Sequence, residues 1–301
     1  MDITPAHTPV LREQVLELLA PRGRSVLVDC TIGLGGHAEA MLAAAGEQAQ
    51  LIGIDVDEDN LRLARQRLER FGRRVRLFQA NFAELTEVLS VAAVQKVDAV
   101  LADLGIASSQ LDDPQRGLSF SSPGPLDMRL DMRMERTAAD FVNSLPEEKL
   151  ADLIYLYGEE RFSRRIARAI VAARRTARIE RTDELSRIVS CAIPRPAASA
   201  RRGVHPATRT FQALRIAVNE ELSKLEYLLS VLPEVLAVGG RAAIISFHSL
   251  EDRRVKQSFA AWTQQGQARL LTRKPVIPSA QEAAENPRSR SAKLRAIEKV
   301  A

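Results

Sequence analysis

The chain has 301 residues, 46% of them hydrophobic, with a formal charge of +5 and a pI near 9.5. That is enough apolar material for one large domain or two modest ones to fold without staples. Cys30 and Cys191 show no CxxC or metal-ligand spacing, which excludes a disulfide framework and a zinc site, and no apolar run is long enough for a membrane span.

The opening MDITPAHTPV lacks a charged stretch followed by an apolar one, so a soluble, unexported chain in a reducing cytoplasm is expected. From Val26 onward the segments alternate between apolar runs, a glycine-rich turn and amphipathic stretches, the βαβ signature of a parallel sheet. Strands are predicted over 26–28, 50–54, 75–79 and 98–102. Residues 105–125 are rich in Ser, Gly, Asp and Pro, and about a hundred residues of helical pattern follow. A helix over about 207–236, broken or ended near Pro233, leads to a fifth strand at 241–247. Residues 264–290 are polar and proline-punctuated and read as loop or disorder. The economical reading is an α/β domain interrupted by a helical insertion over roughly 107–210.

Residues 26–41, VLVDCTIGLGGHAEAM, place a buried strand before Gly33, Gly35 and Gly36 and a helix-forming run after them. Glycines admit positive φ and close backbone approach, and free N–H groups at a helix start attract anions, so a nucleotide-like ligand belongs here. Gly33 to Ala38 also satisfies the dinucleotide pattern G-x-G-x-x-G/A, so the loop alone does not choose the ligand. Asp29, four residues ahead of Gly33, suits a ligand carrying an ammonium and a sulfonium better than a pyrophosphate. Asp55 closes the second strand, where an acid accepts hydrogen bonds from ribose hydroxyls in either ligand class. Asn81 and Phe82 close the third, where an amide and a ring can bond and pack an adenine, although Phe82 serves equally well as a core residue. Asp103 closes the fourth, so three acids share the carboxyl edge of the sheet, where open α/β folds bind ligands.

His7, His37, His205 and His248 form no zinc-type pair, and no metal site is expected. His37 and His248 can face the cleft or can simply satisfy backbone groups at an element's end; His7 and His205 lie in proline-flanked turns. Within the insertion, Arg161, Arg164, Arg165, Arg168 and Arg175 recur on one helical face, and Phe162, Ile166, Ala169, Ile170 and Ala173 on another. Arg174, Arg178 and Arg181 extend that charge, and Arg195, Arg201, Arg202, Arg209 and Arg215 flank the return to the sheet. Such a face is either solvated or tracks the phosphates of a nucleic acid.

Together these strings resemble the bacterial 16S ribosomal RNA (cytosine N4)-methyltransferase family, of MraW type. The likeness runs nearly end to end, through HTPVL at His7, DCTIGLGGHAEAM at Asp29, GIDVDEDN at Gly53, ADLGIASSQLDDPQRGLSF at Ala102 and GPLDMRLD at Gly124. It continues in YGEERFSRRIARAI at Tyr157, HPATRTFQALRIAVNEEL at His205, ISFHSLEDRRVK at Ile245 and NPRSRSAKLRAIEK at Asn286. One departure is Ala107-Ser108-Ser109, where the family more often has Ser-Ser followed by a variable residue. The resemblance implies a doubly wound, Rossmann-like methyltransferase sheet with an inserted all-helical domain. On that reading the catalytic domain is discontinuous, 1–106 with 211–301, and 107–210 recognises RNA. The resemblance further implies an S-adenosylmethionine site at Gly35, Gly36, His37, Asp55, Phe82, Asp103 and Gln110, the last on resemblance alone. The implied partner is 16S rRNA within the small ribosomal subunit, with no membrane partner; a homodimer is left open.

Methyl transfer to an exocyclic amine is a displacement at the sulfonium carbon, so alignment and exclusion of water matter most and no covalent nucleophile is needed. The target base has to leave its stack to reach the site. Asp103, or a carbonyl just after it, is expected to face the amine, or else Asp103 only holds the cofactor. Arg165, Arg168, Arg209, Arg215 and His248 are the candidate RNA contacts. A DNA amino-methyltransferase typically has Asp/Asn/Ser-Pro-Pro-aromatic where this chain has Asp103-Leu104-Gly105-Ile106. A nicotinamide dehydrogenase gains nothing from Asp29 and the basic insertion, and a ribosome-associated protein without activity is the third alternative.

Overall fold

The computed structural model describes residues 9–23, 25–194 and 205–301; His7, Arg195, Arg201 and Arg202 lie outside them. In chain order come α1 (Arg12–Leu19), β1 (Val26–Asp29), α2 (Gly36–Ala45), β2 (Gln50–Asp55), α3 (Glu58–Leu68), β3 (Val75–Gln79), α4 (Leu85–Val91) and β4 (Val97–Asp103). Then follow α5 (Ser108–Asp112), α6 (Ala138–Ser144), α7 (Glu147–Gly158), α8 (Ser163–Arg174), α9 (Thr182–Ala192), α10 (Thr208–Asn219) and α11 (Glu221–Val235). The chain closes with β5 (Leu236–Ser246), α12 (Ser249–Gln264), β6 (Ala268–Leu270), α13 (Ala280–Glu285) and β7 (Lys293–Lys299). No described helix is long and apolar enough to cross a membrane.

The sheet runs β3-β2-β1-β4-β5-β7-β6. The first five strands in that order pair in parallel, and β7 is antiparallel to both β5 and β6. β1, β2 and β4 are near-continuous apolar runs because both faces are covered. On one face pack Leu85, Leu228, Leu232, Phe259 and their neighbours; on the other, Val15, Met41, Leu61 and Leu68. The sheet is therefore doubly wound, and strand order reverses between β1 and β4, the position where such sheets open a crevice at their carboxyl ends.

Contacts divide the chain into two compact units, Met1–Gly105 with Leu222–Ala301, and Ile106–Glu221. The second unit is built from α5 to α10 around Leu126, Met128, Ile154, Ile166, Ile170, Phe211 and Leu214. The single helix read over 207–236 is in fact two. Asn219 ends α10 by donating its amide to the Met128 carbonyl at 2.8 Å and accepting from Leu130 N–H at 2.7 Å, and Glu220 turns the chain at φ 53°. Because α10 packs on α7 and ends on those loop groups, the helical unit extends to Glu221 rather than stopping near 210. Pro233 lies in the last turn of α11, which ends at Val235 as expected; its carbonyl accepts from Lys299 Nζ at 2.7 Å.

Within 264–290, read as loop or disorder, the structure places β6, α13 and a short 3-10 turn at Pro287–Ser291, with loop between them. Sequence pattern does not announce β7, LysLeuArgAlaIleGluLys, whose charges fall on both faces. Its buried Arg295 is tolerated because Asp252 on α12 accepts from it at 2.6 Å. Burial opposes ionisation of Asp252, but the Arg295 guanidinium outweighs it and holds that carboxyl below its usual range.

α7 and α10 approach closely at Gly158, where an added Cβ would lie 2.5 Å from the Arg209 carbonyl oxygen and 3.3 Å from Ala213 Cβ. Alanine is the better helix former by about 1 kcal/mol, yet Gly158→Ala is expected to lower stability by about 1–3 kcal/mol through overpacking. A fall in the urea midpoint checks this; an unchanged or higher midpoint would mean that α10 yields without cost.

Candidate cofactor and RNA sites

β1 delivers Asp29 to the carboxyl edge, and the chain then crosses the end of the sheet in short steps. Cys30 N–H donates to the Leu101 carbonyl at 2.8 Å and Ile32 N–H to the Ile54 carbonyl at 2.9 Å, so the segment bridges β4 and β2. Gly33 and Gly35 take φ of 48° and 80°, and Gly35 opens α2 from the left-handed region. Gly36 has to lack a side chain, because a Cβ there would meet Pro9 Cγ at 2.6 Å.

Asp55 ties this loop down. One of its oxygens accepts from Gly33 N–H at 2.9 Å, and the other from Asp57 N–H at 2.9 Å. Thr31 links the remaining acids: its hydroxyl accepts from Asp103 N–H at 2.7 Å, and its own N–H donates to Asp29 Oδ1 at 3.2 Å. His37 in the first turn of α2 is buried, with Nε2 3.6 Å from Asp103 Oδ2. His37 Nε2 and Asp103 Oδ1 are buried polar atoms without a hydrogen-bond partner, which is where a ligand's polar groups would be satisfied.

Burial lifts the Asp29 carboxyl to about 7; His37 and the Thr31 N–H oppose the rise, and the charges of Asp103 and Asp55 add to it. Burial likewise lifts Asp55 to about 6, against the pull of the Asp57 and Gly33 N–H groups. Two buried carboxyls whose charged forms are disfavoured, with the Asp103 carboxyl beside them, favour a cationic ligand and disfavour a pyrophosphate. Burial also pushes the Cys30 thiol well above its usual range, so it stays protonated and is no nucleophile.

The sequence-derived residues sort clearly. Gly35, Gly36, His37, Asp55 and Asp103 gather around the glycine loop, with Asp29 among them. Phe82 opens a 3-10 turn and packs half-buried against the core, while the Asn81 side-chain oxygen accepts from Ala83 N–H. Gln110 belongs to the helical unit, where its side-chain oxygen accepts from Ala107 N–H at 3.1 Å and closes the first turn of α5. Sequence reasoning missed Thr31, whose place just after a strand was a weak turn signal. It also missed the contact of Leu11 N–H with Glu282 on α13 at 2.7 Å, which pins the segment beside Gly36 and spans 271 residues.

In the helical unit, Arg164 and Arg165 are exposed on α8 and no hydrogen bond or ion pair engages them. Arg168 is exposed and loosely paired with Glu147 at 3.6 Å. Arg209 is exposed, with Glu160 at 3.8 Å. Arg215 is different, being held on both Glu221 oxygens at 2.7 and 2.8 Å. Arg174, Arg178 and Arg181 are tied to the Val142 carbonyl, Asp140 and Asp183. In the other unit, His248 caps α12, accepting from Glu251 N–H, and its Nε2 lies 3.2 Å from the Glu251 carboxylate.

A model of the MraW methylase family matches residues 4–300. A ribosomal RNA small subunit methyltransferase H from Syntrophobacter fumaroxidans is 49% identical over 97% of this chain and 96% of its own. Its counterpart in Geobacter sulfurreducens is 48% identical over 99% of this chain and 100% of its own. Among solved structures, an rRNA methylase from Streptococcus thermophilus aligns with a TM-score of 0.44 at 13% identity, over 100% of this chain and 99% of that one.

Because the Asp29 carboxyl rises from 3.8 to about 7 on folding, the folded chain keeps a proton across that window that the unfolded chain releases, and folding becomes less favourable as pH climbs through it. Asp29→Asn removes the penalty and keeps an acceptor for Thr31 N–H. The variant is expected to match the parent below about pH 4 and to gain about 1–3 kcal/mol at about pH 8, read by calorimetry as a Tm higher by roughly 2–8 °C. Equal Tm values at both pH values would place the Asp29 charge in water.

Proposed function

Because the chain belongs to the MraW methylase family, we propose that it moves the methyl group of S-adenosylmethionine to the exocyclic N4 amine of a decoding-centre cytosine in 16S rRNA, with the small ribosomal subunit as acceptor. The observation that carries this reading is the acid cluster at the switch point, where Asp29, Asp55 and Asp103 surround a glycine loop with two unpartnered polar atoms. When bound, S-adenosylmethionine supplies an electrophilic methyl on a sulfonium.

The chain's own groups do the rest. Gly35, in the left-handed region, and Gly36, packed on Pro9, shape the loop that opens α2, and Asp55 offers its outer lone pairs to ribose hydroxyls while anchoring Gly33. Asp29 and Asp103 supply the negative field, His37 sits beside Asp103, Phe82 packs the adenine, and Gln110 is a further cofactor contact on the family resemblance alone. Asp103 Oδ1 accepts a hydrogen bond from the N4 amine, which returns electron density to a nitrogen whose lone pair is otherwise drawn into the ring. The exposed Arg165, Arg168 and Arg209 hold phosphates. Arg215 and His248 are already engaged, by Glu221 and by the start of α12, and act at most through those partners. A dehydrogenase reading is disfavoured by the same acids, which would repel a pyrophosphate.

Small ribosomal subunits from cells lacking this chain, treated with the purified protein and isotopically labelled donor, are expected to gain one methyl group at a single cytosine in mass maps of the 16S rRNA. Absence of label in RNA would overturn the reading. Asp103→Asn is expected to lower kcat by about 10²-fold or more, and unchanged affinity and turnover would remove Asp103 from both its roles.

A further inference from the structure

The corner where α7 turns into α8 carries a groove that the cofactor chemistry does not use. Asp152 and Tyr155 on α7 line one wall, and Arg161, Phe162, Arg164 and Arg165 at the start of α8 line the other. The open groove has a volume of about 370 Å³, at the lower end of the range that holds a small ligand. Two features set it apart from an ordinary solvated helix face.

The first is charge. Arg161, Arg164 and Arg165 are all exposed, and none is engaged in an ion pair; the Arg161 guanidinium lies over the Phe162 ring at 4.6 Å from its centroid. Three guanidiniums therefore face one carboxylate, Asp152. Elsewhere in the unit Arg174, Arg178, Arg181 and Arg215 are spent on carbonyls or acids, whereas here three unpaired cations are gathered at one groove. The second is an aromatic ring in water. Tyr155 is 59% exposed, and its neighbour Leu156 is exposed to the same extent. Unpaired guanidiniums beside an exposed ring are what single-stranded nucleic acid uses: phosphates on the cations, a base on the ring.

The geometry points to this groove as a holding site for an unpaired nucleotide of the RNA substrate, with the base stacked on Tyr155 and the flanking phosphates on Arg161, Arg164 and Arg165. The inference rests on the proposed RNA methyltransferase activity and adds a contact for bases away from the one modified. An acidic protein segment would use the three cations and leave the ring without a role, which is why RNA is the favoured occupant.

Binding of the full-length protein to a fluorescein-labelled, unstructured RNA oligonucleotide, followed by anisotropy between about 50 and 200 mM salt, separates the two features. Changing Arg161, Arg164 and Arg165 together to alanine is expected to weaken binding and to reduce the slope of log K against log salt by about 2, at roughly 0.7 per phosphate on a single strand. Tyr155→Ala is expected to weaken binding roughly ten-fold with the slope unchanged, and Tyr155→Phe to restore it. Melting curves of each variant establish that the helical unit is intact. RNA binding unaffected by Tyr155→Ala, or a salt slope unaffected by the triple change, overturns the groove assignment. So does equal, Tyr155-independent competition by poly-glutamate. Methyl transfer to small subunits is scored in parallel. If the parent protein transfers none, the activity itself is at fault, whereas a parent that methylates and groove variants that bind and turn over equally well remove the groove alone.

Discussion

An ionised carboxylate taken out of water needs a compensating cation or several donors, and Asp29 has one N–H from Thr31 and the nearby His37. Strand order makes this worse, because the reversal between β1 and β4 brings Asp103 alongside and parallel pairing with β2 brings Asp55. Unaided, the site relieves itself by keeping a proton near neutrality. A sulfonium and an ammonium relieve it better. The glycine loop, the Thr31 hydroxyl on Asp103 N–H and the Asp55 carboxylate on Gly33 N–H all hold the acids in that uncomfortable arrangement. Sites of this kind are less stable than a neutral isostere would make them, which is how function and folding come to oppose each other at one residue.

The parallel half of the sheet was legible because its signals are local. Apolar runs ended by Asp29, Asp55 and Asp103 need no knowledge of the fold to be read as buried strands with acids at their ends. What stayed hidden depends on partners far away in sequence. β7 is acceptable as a strand only once Asp252 is known to face Arg295. The break between α10 and α11 follows from Asn219 meeting the backbone of Met128 and Leu130, about ninety residues earlier. Pro233, a local signal again, did mark the end of the helix, which stops at Val235. In the site itself, carboxylate positions could be read from strand ends, but Thr31 and the Leu11 to Glu282 contact could not, because hydroxyls after strands are common and the second contact joins the two extremities of the chain.

The arginines teach a related lesson. Counted along the sequence they form one basic block; in the structure they divide by partner. Arg174 caps a carbonyl of α6, Arg178 and Arg181 hold neighbouring acids, and Arg215 grips Glu221 with both of its forks. Arg161, Arg164 and Arg165 make no such bonds. Helical spacing reports which face a cation occupies and says nothing about whether that cation is already engaged. Only the partner list separates a guanidinium that builds the fold from one available to a phosphate.

The position of β7 reaches beyond the finished molecule. β7 is not an edge; it lies between β5 and β6, covering the free side of β5 and supplying the ladder partner of β6. While a ribosome is still making this chain, β5 presents a bare, apolar edge and β6 has no neighbour at all. The sheet can be completed only after β7 has been made and released from the ribosome, so nascent chains pass through an interval in which that edge invites pairing with other polypeptides.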